Sequence, residues 1–279
     1  MMNRRDFFRG VSAAIVIQAC GKIVSAATRQ HFDSKTVFRF AIGSDWHYGQ
    51  PDTKYDLFYQ ELQTAFHAYE SSHPCEFFVL NGDVIHNNPA LLSPAAALLK
   101  KIHPRVFVTR GNHDMVTPEA WEQAWGFPLN HDVVVKDQVI LLGDTADITG
   151  KYLCPDMDWF TRKLDQYKHA PNIFIFLHIT PVKWTKHAVD CPEFQALIQQ
   201  YPNVRAVFNG HDHDEDSVKM LNDKIPFLFD GHIGGSWGTG YRGFRVIELK
   251  EDGSILSFIM NPYNKQGERS FGKAIAAAK

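Results

Sequence analysis

Five short polar clusters hold most of the chemistry in this 279-residue sequence. In chain order they are Asp45-Trp46-His47, Gly82-Asp83, Gly111-Asn112-His113-Asp114, His178 and Gly210-His211-Asp212-His213. They offer imidazole nitrogen together with carboxylate and amide oxygen, and no cysteine lies among them. That donor set suits zinc, iron or manganese and disfavours a soft thiolate site. Asp45 and His47 are two apart, as are His211 and His213, so in extended backbone each pair points to one side. Glycines at 82, 111 and 210 permit sharp turns and close backbone approach.

Each cluster follows a short apolar run. Thr36 to Gly43, Glu76 to Leu80, Arg105 to Thr109, Asn172 to Leu177 and Val204 to Phe208 read as strands. Carboxyl ends of strands are where α/β folds place their sites. Between them, Tyr55 to Ser71, Pro94 to Ile102, Pro155 to Tyr167 and Pro192 to Gln200 read as helices. Asp190 and Glu193 have the spacing of a capping box for the last. Asp132 to Val135 and Gln138 to Leu142 form a hairpin signal about Lys136-Asp137. The tail is β-rich, with runs Ser217 to Leu221, Ile225 to Phe229, Arg242 to Leu249 and Ser254 to Met260. No repeat, linker or composition shift divides residues 28–279, which read as a single domain.

The order D-x-H, G-D, G-N-H-D, H, G-H-x-H resembles the calcineurin-like metallophosphoesterase family from Phe38 to about Gly253. The resemblance implies a four-layer αββα sandwich of two mixed sheets flanked by helices. It also implies two metal ions (Mn, Fe or Zn), one held by Asp45, His47 and His213 and the other by Asn112, His178 and His211, with Asp83 bridging. Such a pair would activate a hydroxide against a small phosphate ester, diester or monoester. His113 would protonate the leaving group, and Asp114 would orient His113. The runner-up reading is a catalytically silent, metal-stapled module that binds phosphate or phospholipid. Within the family, the sequence lacks the Asp-Arg-Gly signature of protein phosphatases and has His86 where purple acid phosphatases carry a metal-bound tyrosine. It most resembles the small bacterial phosphodiesterase branch, through Leu142-Gly143-Asp144-Thr145 and Trp159-Phe160. It departs from that branch at Leu177-His178-Ile179-Thr180-Pro181, which lacks the neighbouring histidine of H-H-x-P.

Other residues carry weaker expectations. His31, His67, His73, His103, His131, His169 and His187 read as surface or structural histidines. His86 and the glycine-rich loop around His232 read as surface loops with a minority claim on substrate. Trp46 and Tyr48 fit either substrate stacking or packing.

Residues 1–27 have a basic flank with Arg4 and Arg5, an apolar stretch and small residues up to Ala27, the grammar of an export signal. The paired arginines resemble a twin-arginine signal, which implies a periplasmic protein. Ile17-Gln18-Ala19-Cys20 resembles a lipoprotein processing site, so membrane attachment is expected only through a lipidated Cys20. Cleavage leaves Cys75, Cys154 and Cys191, and no internal disulfide is expected. With 29 Lys plus Arg against 31 Asp plus Glu, no basic excess points to bulk nucleic-acid binding. The oligomeric state stays open.

Overall fold

The computed structural model describes residues 11–18, 23–25 and 35–260. Thirteen strands among the described residues form two mixed sheets of seven and six strands. In chain order they are β1 (Val11–Ile17), β2 (Ile23–Ser25), β3 (Thr36–Gly43), β4 (Phe78–Asn81), β5 (Val106–Thr109), β6 (His131–Val135), β7 (Gln138–Gly143), β8 (Asn172–Leu177), β9 (Val204–Asn209), β10 (Val218–Leu221), β11 (Ile225–Phe229), β12 (Phe244–Lys250) and β13 (Ile255–Met260). The first sheet runs β2-β1-β13-β12-β3-β4-β5 and the second β10-β11-β9-β8-β7-β6. The α-helices among the described residues are α1 (Tyr55–Glu70), α2 (Leu92–Leu99), α3 (Pro118–Trp125), α4 (Met157–Gln166) and α5 (Pro192–Ile198).

Side-chain alternation builds the layers. Phe38, Phe40 and Ile42 of β3 face the second sheet, as do Phe77 and Val79 beside and within β4. Phe174, Phe176 and Phe208 meet them from the other side. Phe40 stacks on Phe77 with centroids 4.8 Å apart and meets Phe174 and Phe208 edge-on at 5.3 and 5.7 Å. Ala41, Phe78 and Leu80 point outward, under Leu62 and Phe66 of α1 and Ala95 and Leu99 of α2. On the far side Ile173, Ile175 and Leu177 lie beneath Phe160 of α4 and Phe194 of α5. Strands covered on both faces are why the central parts of these runs are apolar. The result is the αββα sandwich implied by the resemblance.

Three features depart from the sequence reading. Helix α3 was not anticipated, although Thr117 caps it by accepting from Ala120 N–H, Pro118 opens it and Gly126 closes it in the left-handed region. The capping box is absent: Cys191 is the N-cap of α5 without a side-chain bond, and Asp190 accepts from Gln195 Nε2 at 3.0 Å instead. Residues 11–17, read as part of an export signal, lie antiparallel to β13 as a strand. Arg4, Arg5, Cys20 and Ala27 lie outside the described residues. Among the described residues, no helix is long and apolar enough to cross a membrane.

The third departure is a disulfide between Cys154 and Cys191, Cα atoms 5.7 Å apart. Cys154 precedes α4 and Cys191 caps α5, and these helices pack side by side through Phe160 and Phe194, with ring centroids 5.0 Å apart. That adjacency is tertiary, so sequence spacing could not reveal it. The bridge closes a loop spanning 37 residues, for which chain entropy gives about 3–4 kcal/mol. Replacing both cysteines by serine should lower Tm by roughly 10 °C in a thermal melt. An unchanged Tm would mean that the bridge does not form.

Candidate metal centre

The five polar clusters meet at the carboxyl ends of β3, β4, β5, β8 and β9. Here the chain does not stay extended. Asp45, His47, Asp83 and His211 have φ of 57°, 51°, 49° and 68°. The left-handed region tolerates Asp and His better than most residues. The expectation that Asp45 and His47 project together from extended backbone is therefore corrected: the chain turns at each, and backbone bonds hold the turns. Asp45 N–H donates to Gly82 C=O at 3.1 Å and His47 N–H to Asp83 C=O at 2.9 Å. Gly111 is required for space, since a Cβ there would lie 2.2 Å from Asp83 Oδ1.

Two groups of donors result. Asp45, His47 and His213 form one, with His47 Nε2 and His213 Nε2 3.0 Å apart and His213 Nε2 3.2 Å from Asp45 Oδ1. Asp83, His178 and His211 form the other. Asp83 Oδ2 lies between them, 3.6 Å from His47 Nε2 and 3.3 Å from His178 Nε2. Asn112 Oδ1 and His211 Nε2 are buried without a hydrogen-bond partner. Unpaired buried polar atoms are costly unless something binds them, and two such atoms beside the second group fit a cation.

The second nitrogens are held from behind, as metal-ligating histidines require. His178 Nδ1–H donates to Asn81 C=O at 2.8 Å, and His213 Nδ1–H donates to Trp237 C=O at 3.2 Å. His47 Nδ1 faces His86 Nδ1 at 3.1 Å, and His47, His86 and His113 make a third cluster of donors. Asp45 also accepts from the His211 N–H and from Ser44 Oγ.

Burial alone would raise the Asp83 carboxyl, but the charge of His178 and its hydrogen bond overturn this and hold Asp83 well below the usual range. At Asp45 burial is likewise outweighed, by His213 first, and its carboxyl is lowered. Burial also acts against a charged His178, yet Asp83 pushes it up to about 10, and Asp45 helps raise His213. Burial takes His47 and His211 down to about 3. In the metal-free protein, protons on His178 and His213 thus occupy positions a cation would take. Divalent metals must displace them, so affinity should climb with pH up to about 10, where His178 gives up its proton, with proton release on metal addition below that. Calorimetry in buffers of different ionisation enthalpy measures that release. Affinity indifferent to pH would contradict the assignment.

His113 sits at the rim, half-buried, its N–H donating to Asp83 Oδ1 at 2.8 Å. The expectation for Asp114 is corrected. Its carboxylate accepts from Gly111 N–H and Ile85 N–H at 2.7 and 2.9 Å, so it staples the loop rather than orienting His113. Burial, then the charge of Asp83, pushes it up to about 7. His113 Nδ1–H is instead taken by Asn87 Oδ1 at 2.7 Å.

Several neighbours were missed or misplaced. Tyr152 meets His211 edge-on at 4.8 Å, and His187, exposed in keeping with a surface histidine, has its ring 5.8 Å from that of His211. His232 is neither surface loop nor substrate-facing: it is 2% exposed and stacks behind His213 at 4.7 Å. Trp46 is buried against Tyr59 with Nε1 on Tyr55 C=O, which favours packing over substrate stacking. Ile179, where the diesterase branch carries its extra histidine, is buried and donates its N–H to Thr145 Oγ1.

The chain's likeness to known proteins agrees with this geometry. The calcineurin-like phosphoesterase profile matches residues 38–215, and the chain belongs to that family. The match begins at Phe38 and ends just past the last ligand loop, short of Gly253. A probable cyclic nucleotide phosphodiesterase of Psychrobacter arcticus is 25% identical over 223 residues, covering 66% of this chain and 76% of that protein. A dimetal phosphatase from Danio rerio superposes with a TM-score of 0.67 at 14% identity, covering 81% of this chain and 97% of that one. GAP50, the anchor in the inner membrane complex of Plasmodium, gives a TM-score of 0.59 at 17% identity, covering 84% of this chain and 87% of its own. A fold shared with an anchor does not decide catalysis; the site does. The protein is a metal-dependent phosphoesterase, and the silent-module reading is set aside.

Proposed function

We propose that the two donor groups hold two transition-metal ions bridged by Asp83 and that the centre hydrolyses phosphate esters, with cyclic nucleotide diesters as the substrate class. The carrying observation is Asp83 Oδ2 placed between His47 Nε2 and His178 Nε2, beside the unpartnered Asn112 Oδ1 and His211 Nε2. Asp45, His47 and His213 would hold one ion; Asn112, His178 and His211 the other. When bound, such a pair supplies positive charge to the phosphoryl oxygens and lowers the pKa of water. The chain's own part is to fix the donors and to manage the leaving group's proton. With Nδ1 committed to Asn87, His113 has Nε2 left to deliver that proton. The substrate class is supported by the Psychrobacter relative's name.

The test is turnover of 3′,5′-cyclic AMP and of p-nitrophenyl phosphate by metal-loaded protein, with metal counted per chain. Two ions and faster turnover of the diester are expected. A single ion, or turnover of neither ester, would overturn the proposal.

We also infer export to the periplasm, with lipid attachment at Cys20 as the competing outcome. The Cys154–Cys191 bridge supports an oxidising compartment. Cleavage after Ala27 would remove β1 and β2 and leave β13 at the sheet edge. Replacing Arg4 and Arg5 by lysine should leave precursor in the cytoplasm. Unchanged fractionation would sink the twin-arginine reading, and lipid labelling lost on Cys20→Ala would favour the anchor.

A further inference from the structure

Among the described residues, six large hydrophobic side chains are exposed, and Trp237 is the one aromatic among them, at 44%. It is also the one set against the donor cluster. Its indole stacks on His213, centroids 4.6 Å apart and planes 14° from parallel. It lies 5.0 Å from His47, 6.3 Å from His113 and 6.4 Å from His86. With one face taken by His213, the remaining exposure lies on the opposite side and the edge.

The loop carrying this ring is built to hold it still. Gly238 has φ of 114°, and a Cβ there would come within 2.6 Å of His213 C=O. A Cβ on Gly235 would lie 2.6 Å from His213 Cε1. Only glycine lets the loop press so closely on a donor residue. Gly234 N–H donates to Asp45 C=O at 2.9 Å, and Thr239 N–H to His213 C=O at 2.9 Å. Gln50 Nε2 reaches Ser236 Oγ at 3.0 Å, and Arg242 Nη2 reaches Gly235 C=O at 3.0 Å while its guanidinium lies over Phe58. A side chain so anchored yet open to solvent is preorganised to receive a ligand, with little ordering left to oppose binding.

We propose that Trp237 is the stacking platform for the nucleobase of a nucleotide phosphate ester whose phosphate sits at the metal centre. The inference rests on the proposed phosphoesterase function and deepens it by assigning substrate selectivity to one residue. An indole face accepts any planar π-system, so the platform selects for a base without reading which base it is. Ring and phosphate site are close enough for a single sugar to bridge them, since Trp237 touches the same imidazoles that face the centre. Trp237 is a specificity residue and takes no part in the bond-breaking step.

Binding separates this from turnover. Calorimetry on the metal-loaded full chain would compare AMP with ribose 5-phosphate, two phosphate esters that differ by the base alone. Stacking on one aromatic ring corresponds to roughly tenfold or more in affinity. The wild type should therefore prefer AMP by about that factor, Trp237→Phe should keep most of the preference, and Trp237→Ala should bring the ratio near one. Metal content is measured for each variant, because the indole also backs His213; the phenylalanine variant retains a ring there. A wild-type ratio near one, a ratio that survives in Trp237→Ala, or no binding of either ligand would overturn the proposal. Cyclic AMP turnover judges the parent reading separately. Turnover with no base preference removes the platform and leaves the enzyme, whereas base preference without turnover removes the proposed hydrolysis and leaves the platform.

Discussion

Replacing Asp83 with alanine is expected to strip metal from both donor groups and to lower turnover roughly 10³-fold or more, since several kcal/mol of charge stabilisation leave with the ions. Asp83 has one oxygen 3.6 Å from His47 Nε2 and 3.3 Å from His178 Nε2, nearer to both than Asp45 Oδ1 at 3.9 Å, while its other oxygen takes the His113 N–H. Its loss also leaves the raised charge of His178 without its main partner. Because a buried unpaired charge can harm folding, Asp83→Asn is the companion variant. It keeps the shape and an acceptor for the His113 N–H but lacks the negative charge that draws both cations. At most one ion per chain is expected in Asp83→Asn, by elemental analysis, with a circular dichroism spectrum like the wild type. Two ions and near-normal turnover in that variant would show that Asp83 does not bridge.

How legible this centre is depends on the kind of force involved. Strand β3 has the bounds read from its sequence run, Thr36 to Gly43, and β8 and β11 likewise; β8 and β11 are buried throughout, and β3 is buried from Phe40 to Gly43, where it approaches the site. The donor residues are legible because they follow those runs in chain order. What escaped depends on distant partners. Cys154 and Cys191 meet only because α4 and α5 pack together. Trp237 faces His213 only because β12 returns beside β3. Asn87 takes the role expected of Asp114 because the chain turns at Asp83 and again at Asn87, where φ is 56°. Sequence neighbours suggested Asp114 for His113; left-handed turns sent its carboxylate to the backbone of Gly111 and Ile85 instead. Helix α3 was missed for a local reason: at eight residues it buries just Trp121 and Trp125, too few positions to establish a period.

The second large effect concerns His113, and it should look different from the first. His113→Ala is expected to keep both ions and lose roughly 10²–10⁴-fold in kcat, the usual worth of general acid catalysis. The side chain is half-buried at the rim, and its backbone N–H, rather than its ring, holds Asp83, so truncation leaves that contact in place. The loss should depend on the leaving group. A nitrophenolate departs with little protonation, whereas the alkoxide released on opening a cyclic nucleotide needs a proton. The defect should therefore be larger on cyclic AMP than on bis(p-nitrophenyl) phosphate. Asn87 supplies the internal control. Its Oδ1 fixes the ring through Nδ1, so Asn87→Ala should reproduce the leaving-group pattern in weaker form, while Asn87→Asp, which keeps an acceptor, should restore most of the rate. A structural defect would depress both esters alike and ignore the chemistry of the leaving oxygen. Metal loss in His113→Ala would move the residue into the donor cluster it forms with His47 and His86. Equal loss on both esters with metals retained would make it a clamp on the phosphoryl group instead of the proton donor.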